Sequence, residues 1–206
     1  MIVSMKKHTA SLQKPIQEME ASKTDVRPPL VLSEKIVAQS RIFTVQSQAL
    51  EFSNGTQVLY ERLLGSEQGA VLIIPMLDDD TLLLIREFCI GVGRYELGFP
   101  KGKVDPGETW ESASIRESQE EVGYKPAQVR LLDSVSMAAG YMTHHTHIVL
   151  ATGLTLEPCE GDEPEPLEVV PWKLDDWPAL LQHPDFSEGR AYAALLLLLK
   201  ETGRLK

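Results

Sequence analysis

Three glutamates, Glu117, Glu120 and Glu121, lie within about one turn of each other if their segment is helical. At spacings of i,i+3 and i,i+4 all three project from one helix face. Like charges so placed cost a helix about 0.2–0.5 kcal/mol per pair, a penalty that a hard divalent ion held by oxygen ligands reverses. Arg116 can pair with Glu120 at i+4, which leaves Glu117 and Glu121 without a basic partner. The bland alternative is a solvated acidic face, the usual meaning of a charge run. The cluster is therefore a candidate magnesium site, with manganese as the alternative ion.

The wider segment GKVDPGETWESASIRESQEEVGY, Gly102 to Tyr124, adds a Pro-Gly turn and two bracketing glycines. The ordered set Gly102, Glu108, Arg116-Glu117, Glu120-Glu121 and Gly123 resembles the signature of the Nudix hydrolases. Ser118 departs from it, standing where the family usually has an aliphatic residue that packs the helix onto its sheet. The resemblance extends over about residues 35 to 203. YELGFPKGKVDPGE (Tyr95 to Glu108) and EGDEPEPLE (Glu160 to Glu168) are similar to the bacterial ADP-compounds hydrolases of the ADP-sugar pyrophosphatase branch.

That resemblance implies an enzyme: a magnesium-dependent pyrophosphohydrolase that cleaves ADP-ribose, diadenosine polyphosphates or NADH at the diphosphate and releases AMP. The alternatives are a dinucleoside polyphosphate or RNA 5'-end pyrophosphohydrolase, or a nucleotide-binding module without turnover. It implies metal ligation by Glu117 and Glu121, with Glu120 shared or water-mediated, and by the Lys101 main-chain carbonyl. Glu117 also counts among the catalytic residues, and the base comes from the acidic loop, with Glu163 ahead of Glu165 and Glu168. Substrate contacts fall to Arg86, at the family's phosphate-contacting position, and to Arg62, Glu96 and Tyr141, with Arg94 a weaker candidate. Glu108 and Arg116 brace the loop against the helix. Gly102 and Gly107 let the loop turn tightly beside the metal. Cys89 stands where many ADP-ribose enzymes have an arginine, and Ala139 where they often have a proline. The branch also implies a homodimer whose N-terminal sheet contributes to the partner's site.

The net charge of −10 at pH 7 argues against a nonspecific nucleic-acid binder, which needs a basic stripe. A polyanionic substrate then needs local help from metal and a few cations. Two cysteines, Cys89 and Cys159, form no paired framework and suit a reducing cytoplasm. The N-terminus lacks an apolar export region, and AALLLLL at 193–199 is too short to span a bilayer. His144, His145 and His147 are weak metal candidates, because adjacent residues of an extended segment point to opposite sides. Trp110, Trp172 and Trp177 read as core or interface anchors.

The elements that must position the glutamates follow from patterning. Residues 1–33 read as a loosely ordered lead-in and residues 34–66 as a small antiparallel β segment with a type I′ turn at Asn54-Gly55. Residues 67–206 form the hydrolase domain. AVLIIPM and TLLLI are strands of one mixed sheet, joined by an acidic hairpin tip at Asp78 to Asp80. Thr109 is the expected N-cap of the glutamate-bearing helix. Strands follow near 129–137, 146–151 and 169–172. A closing helix near 188–202, apolar on nearly all sides, is expected to be buried in the core or a subunit contact. The fold class is α/β (α+β), the Nudix α/β/α sandwich around a mixed sheet, preceded by a small antiparallel sheet.

Overall fold

The computed structural model describes residues 27–205, so most of the expected lead-in lies outside the described residues. Two compact units emerge: one joins residues 48–60 to the chain up to Lys35, and the other comprises 36–47 and 61–206. Strands β1 (Leu30–Gln39), β2 (Thr44–Glu51) and β3 (Gln57–Leu64) form an antiparallel three-stranded sheet in that order. β1 begins at Leu30, ahead of the expected boundary. The β2–β3 turn falls at Asn54-Gly55 but is not type I′, which needs two residues of positive φ. Only Gly55 has one, at +80°, while Asn54 Oδ1 accepts from the Thr56 amide and stabilises the turn as an Asx motif.

Strand β4 (Ala70–Pro75) is buried along its whole length, as expected of an uninterrupted apolar run. It pairs in parallel with β9 (His145–Leu156) and antiparallel with β7 (Lys101–Lys103), and β9 pairs antiparallel with β8 (Tyr124–Ser136). This gives a mixed sheet of order β7-β4-β9-β8. Strand β5 (Thr81–Cys89) does not extend it. Beyond a single bridge, Met76 to Leu82, β5 leaves β4 and pairs with β10 (Glu168–Lys173) and β6 (Arg94–Gly98) in an antiparallel sheet of its own. The expectation of one sheet is corrected to two, because partners distant in sequence decide ladder membership. The acidic tip between β4 and β5 is a self-bonded turn: Asp78 accepts from the Asp80 amide and the Thr81 hydroxyl.

Alternation along β4 divides the core. Val71 and Ile73 pack with Ala113 of helix α1 (Trp110–Glu121) and with Val104, while Leu72 and Ile74 pack with Ala194, Leu195 and Leu198 of α3 (Gly189–Glu201). The sheet is thus sandwiched between the two helices. A short α2 (Trp177–Leu181) precedes α3. Helix α3 buries one face only. Leu196 is 57% exposed and Tyr192 39%, so within one chain the core covers only part of this apolar helix. No helix among the described residues is long and apolar enough to cross a membrane.

Candidate active site

Helix α1 starts as its sequence dictates. Thr109 Oγ1 accepts from the Ser112 amide and Ser112 Oγ accepts from the Thr109 amide, forming a reciprocal capping box. Ser118, fully buried, donates through Oγ to the Tyr124 carbonyl at 2.7 Å. It ties the helix end to β8 by a hydrogen bond, where an aliphatic residue would act by packing.

The signature side chains converge on Arg116. Its Nε and Nη2 grip Glu108 at 3.0 Å each, Nη2 also donates to the Lys103 carbonyl, and Nη1 donates to Glu117 at 2.7 Å and Glu120 at 2.9 Å. The planar fork suits this bidentate work. Its hydrogen bonds to Glu108 hold Arg116 firmly charged, and Arg116 in turn keeps Glu108 below the usual carboxylate range. Sequence spacing left Glu117 without a basic partner. The structure corrects this, because a long guanidinium reaches a neighbour at i+1 that Cβ directions alone would not bring together.

Glu117 and Glu121 are both buried. Burial pushes the Glu117 carboxyl up against the pull of Arg116. Burial also pushes Glu121 up to about 8, with Lys101 opposing and the Glu117 and Glu87 carboxylates adding to the rise. Glu121 accepts from the Lys101 main-chain N–H at 2.8 Å. Gly102 makes room for this packing: a Cβ there would lie 1.8 Å from Glu117 Oε1. Gly107 serves differently, having open space but a φ of +87°. Among the described residues no three acidic, histidine or cysteine side chains stand ready as a metal-binding group, and Arg116 bridges Glu117 and Glu120 instead. The donor set nevertheless fits a hard cation. It consists of carboxylate oxygens, two of them on buried groups whose charge burial disfavours.

Beside these groups opens a cleft of about 260 Å³, lined by Glu87, Cys89, Glu96, Lys101, Glu188 and Arg190 among others. Strand alternation assigns its walls. Glu87 and Glu96 lie opposite each other on β5 and β6 and share a face, and the Lys101 ammonium bonds to Glu87. Burial disfavours the Lys101 charge, but Glu87 outweighs it and holds the ammonium protonated. Arg86 and Leu97 face the other way. There Arg86 donates to Glu168 at 3.0 Å and Asp185 at 2.8 Å, so the structure does not bring it to the carboxylates. Arg62 donates to Gln46, and Tyr141 is exposed in the loop after β8.

Glu96 is buried and spent on structure: Ser187 donates to it through both amide and hydroxyl, and Arg94 Nε donates at 2.6 Å. Burial works to raise its pKa, but the Ser187 and Arg94 hydrogen bonds prevail and hold it low. A lowered carboxylate stabilises the fold above its unfolded value, and the contribution is lost as pH falls through the folded value. Glu96→Gln is therefore expected to lose about 2 kcal/mol at pH 7 and progressively less toward pH 3, read by denaturant melts across pH.

The acidic loop runs over the carboxylates. Its entry is anchored by Gln119, which donates to the Glu157 carbonyl and accepts through its own carbonyl from the Cys159 amide. A Cβ on Gly161 would come within 3.3 Å of Glu120 Cβ, so the loop passes close to α1. Glu163 is pushed up by partial burial and by Glu87 and Asp162 beside it, against Lys101. Glu165 instead accepts from the Tyr95 hydroxyl. Glu87, Tyr95, Asp162, Glu188 and Arg190 escaped sequence reasoning. Only Glu87 carried a usable signal, because it continues the Leu83-Ile85 face that packs beside Val122 at the end of α1.

A NUDIX domain model matches residues 67–195, more than half of the chain. The chain belongs to the Nudix family. This Nudix hydrolase also matches the NudE-type Nudix hydrolase N-terminal domain over residues 29–62. It is 46% identical to the ADP compounds hydrolase NudE of Escherichia coli (strain K12), over 87% of this chain and 98% of that one. It is 28% identical to the ADP-ribose pyrophosphatase of Bacillus subtilis (strain 168), over 82% and 95%. A crystal structure of an ADP compounds hydrolase superposes with a TM-score of 0.81 at 46% identity, covering 87% of this chain and 98% of that one.

Proposed function

We propose that this Nudix hydrolase cleaves the diphosphate linkage of ADP-linked compounds such as ADP-ribose, diadenosine polyphosphates and NADH, releasing AMP. The observation that carries the reading is the pair of buried carboxylates, Glu117 and Glu121, whose charge burial disfavours, beside a cleft that Lys101 and Arg190 line. The identity to the E. coli enzyme across nearly its full length supports the substrate class.

Glu117, Glu120, Glu121 and the Lys101 carbonyl would hold magnesium, or manganese in its place. Bound there, the ion would polarise phosphoryl oxygen and acidify a water. Glu108 and Arg116 keep loop and helix in register, and ligation requires Glu117 and Glu120 to exchange Arg116 for the cation. Glu163 serves as general base: its raised pKa moves it toward the working pH, whereas Glu165 is occupied by Tyr95. Lys101 and Arg190 are the cations lining the cleft, and they would meet a diphosphate by exchanging their partners Glu87 and Glu188. We further propose a cytoplasmic homodimer. The exposed Leu30, Val31, Leu32, Ile36 and Val37 of β1 support it, an apolar strand that a second copy would cover, and light scattering of the eluting species tests it.

The deciding experiment incubates the protein with ADP-ribose, diadenosine triphosphate and NADH, with and without magnesium, and resolves AMP by chromatography. Metal-dependent AMP release is expected. Thermal stabilisation by these ligands without release would instead identify a binding module. Glu163→Gln is expected to lower kcat by about 10²-fold or more, the scale of a lost general base.

A further inference from the structure

The loop from Glu157 to Leu167 has one end on the metal-binding helix and the other on a different sheet. At its start it is fastened to Gln119 and passes close to Glu120 at Gly161. At its exit Glu168 opens β10 and is bonded to Arg86 of β5. Between these points Leu167 packs on the Leu83, Ile85 and Val122 cluster close to the exit, and among the described residues one side-chain hydrogen bond holds the middle of the loop. Tyr95 of β6 reaches across β5, its ring set edge-on to Phe88 with centroids 5.6 Å apart, and its Oη donates to Glu165 Oε1 at 2.5 Å. Phe88 and Tyr95 are register partners on the face opposite Glu87 and Glu96. Glu163 stands two residues before Glu165, on the stretch between the α1 contact and the tyrosine, where Glu87, Lys101 and Asp162 act on it.

We propose that Tyr95 is a positioning residue for hydrolysis, a latch that fixes Glu165 and thereby sets where the preceding segment, with Glu163, sits over the carboxylates. The role rests on the reading of Glu163 as base. Both side chains of the latch are exposed, so its net contribution to global stability is small. Its contribution lies in placement. A catalytic group displaced by about 1 Å loses on the order of 10² in rate, and a loop with prolines at 158, 164 and 166 transmits displacement because those residues have little φ freedom.

The test compares Tyr95→Phe, Glu165→Ala, Glu165→Gln and the Tyr95→Phe/Glu165→Ala pair on ADP-ribose with magnesium. Tyr95→Phe keeps the ring on Phe88 and removes only the hydroxyl. It is expected to lower kcat by about 10- to 100-fold with KM within about twofold, as for a displaced catalytic group. Glu165→Ala should match it, the double variant should lose no more, and Glu165→Gln, which keeps an acceptor oxygen, should recover most of the rate. Cleavage by a glutamate-specific protease reads the loop directly. Glu157, Glu163 and Glu165 all precede proline, so Glu160 is the susceptible bond, and Tyr95→Phe should be cut there faster. A Tyr95→Phe enzyme with wild-type kcat, or losses that simply add in the double variant, would overturn the latch. Glu163→Gln separates the two readings. If it is inactive while Tyr95→Phe is unaffected, the latch alone fails. If it turns over normally, the base assignment fails, and the Tyr95→Phe rate still decides whether loop position governs catalysis.

Discussion

Glu121→Gln is expected to cripple hydrolysis while raising the melting temperature of the protein in chelator. The Glu121 carboxylate is 6% exposed, and burial makes its charge unfavourable, with Glu117 and Glu87 adding to the penalty and only Lys101 opposing. Glutamine has nearly the same shape, and its carbonyl can still accept from the Lys101 amide. With its pKa pushed up to about 8, Glu121 must take up a proton on folding near neutral pH, a cost that the uncharged glutamine avoids. A gain of about 1 kcal/mol would raise Tm by about 2–4 °C in a chain of this size. Activity should fall on the order of 10²–10³, the scale of losing one preorganised electrostatic group. Magnesium should then raise the Tm of the wild type and leave the variant nearly unmoved, because only the former binds it in the folded state. Calorimetry with EDTA and with magnesium, beside an AMP-release assay, reads all three effects. A variant with full activity, or one that melts lower in EDTA, would contradict the assignment.

Gly102→Ala should silence the enzyme with little change in fold. A methyl at this position would come within 1.8 Å of Glu117 Oε1 and 2.0 Å of its Cδ. The clashing atoms are the end of a flexible side chain, so the carboxylate moves and the backbone stays. Gly102 lies on β7 opposite Val71 of β4, and that pairing uses main-chain groups an alanine keeps. The overpacking is expected to cost about 1–3 kcal/mol. Moving Glu117 off its position should lower kcat by about 10²-fold. Circular-dichroism melts and metal titration of activity check it, and normal turnover would show that Glu117 needs no fixed place.

Much of this was legible in the chain itself, wherever the determinant is local. Helix α1 announces itself through its N-cap Thr109, three and four residues set its glutamates on one face, and the fully apolar β4 must be covered on both sides. The Nudix signature is local for the same reason, since one turn and one helix carry it. What sequence spacing missed involved contacts across large separations or within a side chain's own reach. Period-2 alternation fixes that Arg86 and Glu87 face opposite ways, but not which face meets the carboxylates. That depends on β5 leaving β4 for β6 and β10. Arg116 joining three glutamates depended on the length of its side chain and on the loop that carries Glu108 to it.

The sequence by itself determined the fold class, the family and the clustering of carboxylates on α1, because periodicity, capping and spacing are properties of neighbouring residues. Only the tertiary structure decided which glutamates are buried, that Gly102 must lack a side chain, and that Tyr95 meets Glu165 across seventy positions. Burial and long-range contact follow from packing of the whole chain, which no local window contains.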